Sequence, residues 1–159
     1  MKKIISMCLS IILGFIAGVI FMIYRCGYIL EREKKKADKY FTYFNFWDRW
    51  LMKKEQGYNY AEYFREHDIK TVAIYGMGQI GRHLKYELEN VGVRVAYVID
   101  EGEKIIYGRE NHYNLQDALP FVDLVIVTPI EEFEEIKNRI LDNNRLLNVI
   151  SVDKMLVGN

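Results

Sequence analysis

Cysteine is nearly missing from this chain. The two it has, Cys8 and Cys26, stand 18 residues apart, which on one continuous helix is about 27 Å, far beyond what a disulfide within one chain can bridge. There is no C-x-x-C pair and no pair of histidines at ligand spacing, and His67, His83 and His112 are scattered, so no metal site is expected. Neither sign of charge is in excess: 22 Lys and Arg balance 22 Asp and Glu. That balance leaves no overall electrostatic footprint for nucleic acid as a partner.

What is present begins with an uncharged run of 21 residues, "IISMCLSIILGFIAGVIFMIY", Ile4 to Tyr24. As a helix it is about 31 Å long, the thickness of a bilayer's hydrocarbon layer. A cleaved secretory signal would have a shorter apolar region ending at a small-residue site, so a retained transmembrane anchor is expected. Two basic residues precede the run, Lys2 and Lys3, and six follow it: Arg25, Arg32, Lys34, Lys35, Lys36 and Lys39. The basic side stays inside, which predicts a single-pass protein of the cell membrane with its C-terminal body in the cytoplasm. The same cluster either meets anionic lipid headgroups, at about 1 kcal/mol per cation, or is a solvated neck. Within the span Ser6, Ser10, Gly14 and Gly18 recur every fourth residue, a ridge that would let a second copy or another membrane protein approach closely.

The spacing divides the chain into a tail (1–3), the anchor (4–24), a charged neck (25–39), an aromatic helical segment (40–68) and one α/β domain (69–159). In the aromatic segment Tyr40, Phe44, Trp47 and Leu51 fall at helical spacing, with Tyr43 and Trp50 beside them, predicting an amphipathic helix from about Tyr40 to Lys54. Gly57 breaks it, and Asn59 caps a second helix, Tyr60 to His67. The stripe suits packing on the domain that follows, the membrane interface, or a protein partner.

The domain opens with "TVAIYGMGQIGRHL", Thr71 to Leu84. "TVAIY" reads as a strand buried in a parallel sheet; a helix follows with Ile80, Leu84 and Leu88 on one face, stopped by Gly92. "VRVAYVID" is a second strand ending in Asp100, 19 residues after Gly81. Strand, glycine turn, helix, strand and acid form the first unit of a Rossmann-like fold. Gly76 allows the tight turn, Gly78 lets the backbone approach a phosphate, and Gly81 lets the helix pack on the strand. Met77, Gln79 and Ile80 complete the loop, the free N–H groups at the helix start favour an anion, and Asp100 is placed to accept hydrogen bonds from a ribose.

Downstream a short strand is expected around Lys104–Tyr107, and at most one or two helical turns at "NLQDALP". A strong buried strand follows at about Asp123–Thr128. "EEFEEIKNRILDNN" reads as a helix with Phe133, Ile136 and Ile140 inward, and "LNVISVD" as a last strand. The order fits a compact parallel sheet of about five strands. Ligands of such sheets gather at the strands' carboxyl ends. This brings Thr128 and Pro129 beside the glycine loop, either as ligand contacts or as a Thr-Pro stop before the helix.

At "TVAIYGMGQIGRHL", "AYVID" and "VDLVIVTP" the chain resembles the small Rossmann or CoA-binding-like domains of bacterial polysaccharide biosynthesis. These are the nucleotide-sugar-binding domains of sugar acyltransferases and the domain after the membrane helices of CapD-like nucleoside-diphosphate-sugar epimerases and dehydratases. The resemblance covers about Thr71 to Val157 and implies NAD or a UDP-sugar as ligand, without a metal, and a polysaccharide-synthesis membrane partner. The Tyr-x-x-x-Lys pair of the CapD-like enzymes does not occur, and no hexapeptide-repeat domain follows. The expectation is therefore a membrane-anchored, non-catalytic nucleotide or nucleotide-sugar binding module. The alternatives are an NAD(P)-dependent or nucleotide-sugar-modifying enzyme completed by a partner, a structural adaptor, and a regulatory domain resembling those that gate potassium transport.

Overall fold

The computed structural model of the chain describes residues 2–102 and 111–157, with the side chains of Lys2, Ser10 and Val157 outside the description. Two compact units divide at Phe44 and Asn45. Helix α1 spans Lys2–Glu55. The first 119 residues contain no proline, so no residue of the helix lacks an amide donor for its ladder. It is one helix long and apolar enough to cross a membrane, and none of its apolar window is buried within the protein. Past Glu55 the helix ends at Gly57, whose φ of +75° lies in the left-handed region, with the amides of Gly57 and Tyr58 turned back onto the carbonyls of Lys54 and Lys53.

The second unit holds the last turns of α1 and everything after them. Asn59 accepts a hydrogen bond from the amide of Ala61 at 3.0 Å and caps α2, Tyr60–Glu66. There follow β1 (Thr71–Tyr75), α3 (Gln79–Asn90), β2 (Arg94–Ile99), β3 (Asn111–Tyr113), β4 (Leu124–Val127), α4 (Phe133–Asn143), β5 (Val149–Ser151) and α5 (Val152–Val157). The five strands pair in the order β3-β2-β1-β4-β5, every pairing parallel. The winding direction therefore reverses between β1 and β4, the position at which open α/β sheets leave a crevice outside their carboxyl ends.

Both faces of the sheet are covered, because alternate residues point to opposite sides and both sets are buried. Ala73, Tyr75, Tyr97, Ile99, Val125 and Val127 lie in one cluster with Phe133, Ile136 and Ile140 of α4. Val72, Ile74, Val98, Leu124 and Ile126 alternate with them and are also buried, as are Ile80, Leu84 and Leu88 of α3.

Some details differ from the sequence reading. The strand expected at Lys104–Tyr107 lies outside the described residues; among those described, a strand not expected from the sequence forms at Asn111–Tyr113 and pairs with Tyr97–Ile99. That strand has only three residues, "NHY", too short for period-2 alternation to register. The expected helical turns at "NLQDALP" are a bend and turn, and α5 was not anticipated. In the aromatic segment the buried rings are Phe46, Trp50, Tyr60 and Phe64, whereas Tyr40, Phe44 and Leu51 of the stripe read from the sequence are exposed. Aromatic residues surround that stretch of helix on nearly every side, so periodicity alone does not single out the face that packs. Within the second unit Trp47 stacks on Trp50 and meets the edge of His83 on α3, and Lys54 pairs with Glu87.

Candidate functional site

The carboxyl end of the sheet at the reversal is formed by the ends of β1, β2 and β4 and the start of α3. β1 runs out at Tyr75, and its neighbours hold the turn in place: the Gly76 amide donates to the Ile99 carbonyl at 2.8 Å, and the Thr128 amide to Tyr75 at 3.0 Å. Gly76 takes φ +86°, and a β-carbon there would lie 2.8 Å from Thr128 Oγ1 and 3.1 Å from the Pro129 ring. Gly81 has a different reason to be glycine. A β-carbon at this position would stand 2.1 Å from the Gly76 carbonyl oxygen, so the first turn of α3 seats directly on the loop. Gly78 is unlike both. Its φ is −64°, it caps α3 without a side-chain hydrogen bond, and a β-carbon there would meet nothing within 4 Å.

The other loop residues divide by where their side chains go. Met77 and Ile80 turn inward and are buried, so only their backbone faces the crevice side of the loop. Gln79 is exposed. The first amides of a helix have no partner within the helix, and at α3 no side-chain cap is found among the described residues.

Asp100 follows β2 and reaches back to the loop. Its Oδ2 accepts from the Met77 amide at 2.7 Å and its Oδ1 from the Gly102 amide at 2.8 Å. A carboxylate offers about four lone-pair sites, so a further acceptor position remains on each oxygen, but one loop amide is already committed. Thr128 is buried, and its hydroxyl donates to the carbonyls of Tyr75, at 3.1 Å, and Gly76, at 2.8 Å. A hydroxyl has a single proton, so toward any ligand Thr128 can only accept. Pro129 is half-buried with its ring against Gly76.

Two charged residues were not singled out from the sequence. Glu101, next to Asp100, pairs with Arg139 of α4, and Tyr75 beneath them has its phenol pushed above its ordinary pKa, chiefly by burial and then by the Glu101 charge. Adjacency to the strand-end acid was a signal for Glu101. Nothing local marks Arg139, which reaches this end of the sheet only because α4 packs on β4 and β5. Among the described residues no group of three or more His, Cys, Asp or Glu side chains is placed to hold a metal ion.

The loop residues Gly76–Gly81, Asp100, Thr128 and Pro129 thus come together at one end of the sheet. No protein-family model, no curated protein and no solved structure matches the chain.

Proposed function

We propose that the protein is a membrane-anchored, Rossmann-like module that binds a nucleotide, either an adenine dinucleotide or a UDP-sugar, without transforming it. Gly78 carries this reading. Gly76 and Gly81 are accounted for by backbone conformation and close packing, but nothing among the described residues requires a glycine at 78. A bare backbone at the uncapped start of α3, at the reversal of a parallel sheet, is what a phosphate needs for close approach to helix amides. Asp100 stands at the end of the neighbouring strand, where a ribose hydroxyl can donate to it. The missing Tyr-x-x-x-Lys pair supports binding over catalysis, the six-to-two basic asymmetry supports a cytoplasmic body, and a setting of polysaccharide synthesis rests on the resemblance alone.

One observation favours a second reading. Asp100 already occupies the Met77 amide, as it would in a loop kept only to hold β1, β2 and α3 together in a structural adaptor. Thermal unfolding of the detergent-solubilised full chain, with NAD, NADP, UDP-sugars and CoA in turn, separates the two. A ligand that raises the melting temperature of the wild type but not of Gly78→Val supports the site. No stabilisation by any of them, or equal stabilisation of Gly78→Val, leaves the adaptor. Asp100→Asn is the poorer variant, since an amide NH2 turned toward the Met77 or Gly102 N–H would disturb the loop itself.

A further inference from the structure

We draw no further inference here: the strongest candidate, the groove between α2 and the β5–α5 turn lined by Tyr58, Glu62, Tyr63, Glu66, His67 and Lys154, is an acidic cluster exposed on the surface of α2 whose facing ammonium, Lys154, lies over the Phe133 ring, and nothing in the structure shows what covers it.

Discussion

Each glycine of the loop meets a different physical demand, and substitution should separate them. Gly81→Ala would drive a methyl group to 2.1 Å from the Gly76 carbonyl oxygen, a backbone atom that cannot rotate away. The start of α3 must then lift from the loop, at about 1 to 3 kcal/mol, the usual cost of forcing extra volume into a packed interior. Gly78→Ala meets open space and should stay within about 0.5 kcal/mol of wild type, as exposed substitutions generally do. Denaturant or thermal unfolding of the two variants beside the wild type measures the contrast. Equal stability of all three would mean that the helix does not rest on Gly76. Thr128 completes the same arrangement, because its hydroxyl satisfies a Gly76 carbonyl at the point where the loop leaves the sheet.

Between elements, the start of the central strand pair depends on one carboxylate. Asp123, just before β4, accepts from the amides of Lys70 and Thr71 at 3.0 and 2.7 Å and from the Thr71 hydroxyl at 2.8 Å. Its own amide donates to the Thr71 carbonyl at 3.1 Å. The Thr71 hydroxyl first, and then the two amides, hold this carboxyl below the ordinary carboxylate range. A folded-state pKa below the unfolded one contributes stability at neutral pH that is lost as pH falls below about 4, through the depressed folded value. The group is largely solvated, so the contribution is modest. Asp123→Asn should therefore be less stable than wild type at pH 7 and should lose less stability on acidification. Unfolding midpoints taken across the acid range would show it, and parallel acid limbs for the two proteins would remove Asp123 as the titrating clamp.

For the molecule as a whole, the first testable property is orientation. Six basic residues follow the apolar run and two precede it, and basic flanks remain in the cytoplasm. A reporter that is active only in the cytoplasm, fused after Asn159, should be active; export of the fused reporter would reverse the orientation and remove the argument for a cytosolic nucleotide. The long-range pattern was legible in the sequence wherever it is repeated or bounded. Twenty-one uncharged residues mark the stretch of α1 apolar enough to cross a membrane, β-branched runs mark β1, β2 and β4, and Gly57, Asn59 and Gly92 mark where helices stop and start. These signals are local, because hydropathy, capping and left-handed φ depend on a residue and its near neighbours. Tertiary structure decided the rest. It chose β3 from three residues that carry no period, and it buried Phe46 and Trp50 instead of Phe44 and Leu51, since a helix ringed with aromatics has no preferred face until another element is placed against it. It also brought Arg139 to Glu101 across 38 residues, turned Asp100 onto the Met77 amide, and set apart Gly78, the one glycine of the loop that packing does not require. A motif of three glycines reads alike at each position, and only the atoms around each one determine whether it serves conformation, close packing or access.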